Sequence, residues 1–149
     1  MESGPSPVEL PFNLLILKVY HAQKNRVRPV MGAIGLSPGQ PKVLTFLALH
    51  GPCLQKELAA SCDIEAATVS KLLHSLEELE LIERNGRPGD RRAAEITLTP
   101  AGRELFENEI AGRIGEINAT SLSGFSESER AQFISYLKRM YRNLTGQDL

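Results

Sequence analysis

The sequence predicts a mainly α-helical fold that carries one small β-hairpin, and three observations predict it. Apolar residues recur at helical spacing along most of the 149 residues. Capping and breaking signals cut that pattern into discrete helices. The period drops to two only around "LIER" and "AEITLT", residues 81–84 and 94–99. An apolar content of 42% with 23% charged residues suits a globular chain, and the length suits one domain, 1–149, with extra helices for pairing.

The first residues, with Pro5, Pro7 and Pro11, read as an irregular arm. From Phe12 to Val27, "FNLLILKVYHAQKNRV" places Leu14, Leu15, Leu17 and Tyr20 at helical spacing, and Pro29 is expected just beyond the helix. "MGAIGLSPGQ" is a glycine-rich break. Within it Ser37 is the expected cap of the next helix, Pro38 its first residue, and Gln40 the partner in a capping box. That helix uses Val43, Leu44, Phe46, Leu47 and Leu49 and ends at His50-Gly51-Pro52.

"LQKELAAS" then reads as a short helix, and after a "CDI" turn "EAATVSKLLHSLEELEL" reads as another. Asp63 is the expected cap of this second helix, with Glu65 in its first turn. Val69, Leu72, Leu73, Leu76 and Leu79 form one buried stripe. Two short helices joined by a tight turn make a helix-turn-helix. In the hairpin that follows, Ile96 and Leu98 alternate with Glu95 and Thr97. Gly86 to Gly89 supply the turn, and Pro88 keeps the tip out of any ladder. The result, over residues 36–99, is a winged helix-turn-helix.

Thr99-Pro100 restarts a helix through "AGRELFENEIAGRIGEI", which Gly112 and Gly115 weaken. Ser126 and Glu129 match a second capping box, and the last helix lines up Phe133, Ile134, Tyr136, Leu137, Met140, Tyr141 and Leu144. Residues 8–31 and 100–146 are more apolar than a small winged helix buries alone. They are expected to be dimerisation helices.

A net charge of −1 argues against a uniformly basic nucleic-acid binder but not against local positive charge. "RNGRPGDRR", residues 84–92, gathers four arginines at the hairpin tip. No nucleophile motif, phosphate loop or local metal signature appears, so no catalytic residue, metal or cofactor is expected. Cys53 and Cys62 are expected to be partly buried thiols, and His21, His50 and His74 are scattered. No apolar run reaches a membrane span, and "MESGPSPVEL" lacks a signal-peptide layout, so a cytoplasmic location is expected.

Three segments in order, "LSPGQPKVLTFLALHG", "LQKELAASCDIEAATVSKLLHSLEELELIER" and "GDRRAAEITLTPAG", resemble the MarR family of transcriptional regulators. The resemblance implies an obligate homodimer with intertwined terminal helices. It also implies a pseudo-palindromic operator in double-stranded DNA, commonly repression, and release by a small lipophilic or phenolic effector. Phe12, Tyr20, His21, Met31 and Ile34, with Phe46 and Phe106 as walls, are the implied effector crevice, although each also reads as ordinary core or interface. Peroxide-sensing relatives keep a reactive cysteine in the first helix, and this one has none.

With the leucine stripe inward, Ala67, Thr68, Ser70, Lys71, His74 and Ser75 are left outward or flanking on the recognition helix. Lys71 is the leading base reader. In the wing, the resemblance implies that Arg92 enters the minor groove and that Asp90 orients it. Arg84, Arg87 and Arg91 are then expected along the phosphates, and Glu77, Glu78, Glu80 and Glu83 on a solvated face. Two alternatives stay open. One is a winged-helix protein-interaction module, whose recognition helix should carry exposed apolar anchors. The other is a DNA binder without an effector.

Overall fold

The computed structural model describes residues 9–86, Gly89 and 93–149. It divides into two compact units, one running to Gly115 and one spanning Glu116–Leu149. Among the described residues no helix is long and apolar enough to cross a membrane.

The first unit opens with α1 (Phe12–Gly32), which runs past Val27 and through Pro29. The expected stop at the proline does not occur. A proline there removes one N–H donor, but its fixed φ is already helical. The next helix, α2 (Gln40–His50), begins later than Ser37-Pro38, because Gly39 precedes it at φ 89°. A side chain at Gly39 would be doubly strained, since its Cβ would also lie 2.9 Å from Leu72 Cδ1. Half of the expected capping box forms: Gln40 Oε1 accepts from Ser37 N at 2.8 Å. Gly51 ends α2, donating its N–H to Leu47 O.

A two-residue strand that the sequence pattern does not announce, β1 (Cys53–Leu54), leads into α3 (Gln55–Ser61). Asp63 does not cap the following helix. It takes φ 52° in the turn, a conformation aspartate tolerates, and Glu65 occupies the cap position of α4 (Ala66–Glu78). Within the apolar stripe Val69, Leu73 and Leu76 are fully buried and Leu72 is half-buried. Leu79 is exposed, contrary to the stripe, because it sits at the C-cap where the helical period no longer sets its direction.

β2 (Ile82–Asn85) and β3 (Glu95–Leu98) pair antiparallel, with Ile82 opposite Leu98 and Arg84 opposite Ile96. β1 adds to the other edge of β3, giving the order β1-β3-β2. The chain then enters α5 (Pro100–Leu105), a π-helical turn (Phe106–Ile110) and α6 (Ala111–Ser121). Leu44, Leu47, Leu58, Leu73, Leu76, Ile96 and Ile110 meet in one core, joining α2, α3, α4 and the sheet.

Thr99 caps α5 as expected, its hydroxyl accepting from Gly102 N at 3.0 Å. The same hydroxyl donates to Glu80 O at 2.7 Å, and Thr99 N donates to Leu81 O at 3.1 Å. Together these bonds close the base of the hairpin.

In the second unit α7 (Glu127–Thr145) starts on the expected capping box. Ser126 Oγ accepts from Glu129 N at 3.1 Å, and Glu129 Oε1 accepts from Ser126 N at 2.9 Å. Hydrogen bonding of the Glu129 carboxyl to the Ser126 backbone, and then to its side chain, holds it below its ordinary range. No residue of α7 is buried, and Phe133, Ile134, Tyr136, Leu137 and Leu144 are exposed.

Gly102 sets the tightest backbone contact near the hairpin: a Cβ there would lie 2.1 Å from Leu81 O. Gly102→Ala should therefore cost about 3 kcal/mol or more, since neither backbone can yield without breaking the Thr99 bonds. Gly112→Ala, where nothing lies within 4 Å, should be neutral or stabilising by roughly 0.5–1 kcal/mol. Urea unfolding of the two variants checks both signs.

Candidate nucleic-acid interface

Ala67, Thr68, Ser70, Lys71 and His74 are all exposed along α4. Their shared face follows from burying Val69, Leu73 and Leu76 on the other side. His74 Nε2 lies 3.1 Å from Glu78 Oε1, one helical turn on. Ser75 differs from the outward expectation. It is half-buried, and its hydroxyl accepts from Gln40 Nε2 at 2.9 Å. Gln40 is itself 2% exposed, so its amide ties the start of α2 to the middle of α4 from inside.

Arg84 also departs from its expected place along the phosphates. Its side chain is 11% exposed, and its Nε donates to Glu77 Oε1. Nη1 donates to Gln55 Oε1 at 3.0 Å. Glu77 is accordingly engaged with the hairpin, not part of a solvated face. A signal for this was present in the sequence. In β2 the period of two puts Arg84 on the same side as buried Ile82. Sequence reasoning also missed Gln55, whose Nε2 donates to Ser70 Oγ at 2.7 Å.

Arg87, Asp90, Arg91 and Arg92, the remaining wing residues expected at DNA, lie outside the described residues.

A cavity of about 390 Å³ opens between α1, the loop before α2, and α4. Of the residues expected in an effector crevice, Tyr20 and Met31 line this cavity, and Phe12, His21, Ile34, Phe46 and Phe106 do not. Phe12 is exposed at the first turn of α1, and His21 meets Tyr20 in an edge-type ring contact. Ile34, Phe46 and Phe106 pack against the core, with Phe46 stacked on His50. The other lining residues come from distant segments. Val27, Leu36 and Leu72 give an apolar floor, and Lys24, Arg28 and Lys42 supply the charge. Thr68 lines the same cavity from α4.

A profile of the MarR family matches residues 34–93. The chain is 30% identical over 115 residues to a putative transcriptional regulatory protein for the hcr operon of Thauera aromatica, covering 77% of this chain and 69% of that protein. It is 35% identical over 98 residues to the transcriptional repressor MdtR of Bacillus subtilis, covering 66% and 63%. Among solved structures, the transcriptional regulator PA3341 superposes with a TM-score of 0.82 at 32% identity, covering 92% of this chain and all of that one. MepR of S. aureus, solved with DNA, superposes at 0.78 with 27% identity and covers 91% and 99%. BpsR of Bordetella bronchiseptica, described by the regulation of its DNA binding by 6-hydroxynicotinic acid, superposes at 0.78 with 26% identity and covers 87% and 97%.

Both cysteines are free and buried. Burial, followed by the negative charges of Glu57, Cys62 and Glu95, pushes the Cys53 thiol up to about 11. Burial also raises Cys62, against an opposing pull from Lys42. Thiolate, the reactive form, is thus disfavoured in the folded state at neutral pH. Neither thiol should react with Ellman's reagent at pH 8 until the protein is unfolded. By linkage, the stability these neutral thiols contribute is complete below pH 9 and lost as pH rises through the folded values, for Cys53 toward about 11.

Proposed function

Because the chain belongs to the MarR family of DNA-binding transcriptional regulators, which are not enzymes, we propose that it is a cytoplasmic repressor. It binds a pseudo-palindromic operator as a homodimer and is released by a small anionic, partly apolar effector. The observation that carries this reading is the exposed face of α4. Ala67 and Ser70 let the backbone approach a groove, and Lys71 can reach guanine acceptors or a phosphate. The wing sequence after it supplies Arg87, Arg91 and Arg92 for phosphates and the minor groove, with Asp90 to orient Arg92. Arg84 has a different role, anchoring the hairpin to α4.

Dimerisation is supported by apolar side chains left in water. α1 exposes Leu14, Leu15, Leu17 and Val19, and α7 exposes Phe133, Ile134 and Leu137. Covering such surface contributes roughly 25 cal/mol per Å², and patches of this kind mark interfaces. The effector class is supported by the cavity: its described charged lining, Lys24, Arg28 and Lys42, is all cationic above an apolar floor. A volume of about 390 Å³ suits an aromatic carboxylate. Because Thr68 and Leu72 line the same space, such a ligand would touch the recognition helix itself.

Selection of bound sequences from a random duplex pool should return a pseudo-palindrome with half-sites ~34 Å apart. Recovery of no motif would refute the operator reading. Lys71→Ala should lower the operator-to-random affinity ratio about tenfold, the low end of a good base contact. Arg92→Ala should weaken binding and flatten the log K against log salt slope by about 0.9 for each phosphate that the variant leaves unneutralised. On the effector side, 6-hydroxynicotinic acid should release the operator while its neutral amide should not, and Arg28→Met should remove that difference. Fluorescence anisotropy measures all three responses.

A further inference from the structure

Gln55 stands between two parts of the interface, and the direction of its hydrogen bonds has a chemical consequence. A guanidinium carries only donors, so Arg84 Nη1 must face the oxygen of the Gln55 amide, as it does at 3.0 Å. That orients the other end of the amide. Nε2, a donor without acceptor capacity, faces Ser70 Oγ at 2.7 Å, and the hydroxyl has to accept. Ser70 then keeps one proton to give and a second lone pair. The hydroxyls of Thr120, Ser121 and Thr145 donate to the carbonyl one turn back, but among the described residues Ser70 donates to none. It is exposed on the N-terminal half of α4, the half that enters a major groove.

The start of the chain is equally determined. Glu77 accepts from Arg84 Nε, and the Arg84 side chain is 11% exposed, so water competes little for the guanidinium. The polarity therefore runs one way, from Arg84 through Gln55 to Ser70 and outward.

We propose that this donor chain fixes Ser70 as a hydrogen-bond donor to a base-edge acceptor in the major groove, a purine N7 or a keto oxygen, with Gln55 and Arg84 as its positioning residues. The inference rests on the DNA reading above and adds a specificity rule to it. The base atom that takes this proton is an acceptor, a role the amino groups of adenine and cytosine cannot fill.

The test is a double-mutant cycle on the selected operator. Gln55→Glu preserves the acceptor for Arg84 but makes both ends of the side chain acceptors. Ser70 must then donate to Glu at position 55 and turn its proton away from DNA. Ser70→Ala should reduce operator affinity about tenfold in the wild-type background and less than twofold in the Gln55→Glu background. The cycle cancels the uniform repulsion that the added carboxylate brings. Equal losses in both backgrounds, or none in the wild type, would overturn the proposal.

A second measurement does not depend on the folding of Gln55→Glu. Operators carrying 7-deazapurines, 2-aminopurine for guanine, or 5-methyl-2-pyrimidinone for thymine each lack one acceptor. One position per half-site should weaken the wild type and leave Ser70→Ala unaffected; the absence of any such position overturns the proposal. A wild type that binds selected and scrambled duplexes alike would overturn the DNA reading and this inference together. A discriminating wild type with an additive cycle removes the inference alone.

Discussion

The carbonyl oxygen of Leu81 occupies space that any side chain at position 102 would need, and the placement of the wing depends on that contact. It brings the end of α4 against the start of α5. There Thr99 completes the junction with a backbone bond to Leu81 and a hydroxyl shared between Glu80 and Gly102. Glu80 takes φ 58°, a sparsely used conformation for a residue with a side chain, and the surrounding bonds hold it there. With both feet of the hairpin joined, β2 and β3 can pair in only one register.

Two kinds of interaction position α4, and their magnitudes separate their tasks. Burying Val69, Leu73 and Leu76 is worth roughly 1.5–3 kcal/mol each, which decides where the helix lies and which face is inward. The polar links are individually weaker, about 1 kcal/mol net for a typical neutral hydrogen bond. They are directional, however. Gln40 holds Ser75 from the α2 side, while Gln55 holds Ser70 from the α3 side. Apolar packing places the helix, and these amides orient the hydroxyls of Ser70 and Ser75.

The same division accounts for the charges. An acidic run next to a DNA-reading surface would oppose binding if all of it faced the phosphates, because solvated charges act over a screening length near 8 Å at physiological salt. Glu77 is instead taken up by Arg84, which balances that one carboxylate within the protein. In the cavity the arrangement is reversed: Lys24, Arg28 and Lys42 gather around an apolar floor that ends on α4.

The succession of helices, the position of the hairpin and the caps at Thr99 and Ser126 were legible in the sequence, because each depends on neighbours a few residues away. The resemblance carried by three segments reached the family for a similar reason, since those motifs are local. What tertiary structure decided are features in which distant segments compete with a local signal. Pro29 stays helical, Asp63 yields its capping place to Glu65, and β1 forms only because β3 offers it a free edge. The cavity could not be read from aromatic residues at helical spacing, since its cations come from α1 and α2 and its floor from separate segments of the chain. Arg84 shows the boundary most clearly. Local charge pattern pointed it toward phosphate, but the pleat of β2 turned it inward to Glu77 and Gln55, whose joint nearness to it only the packed fold creates.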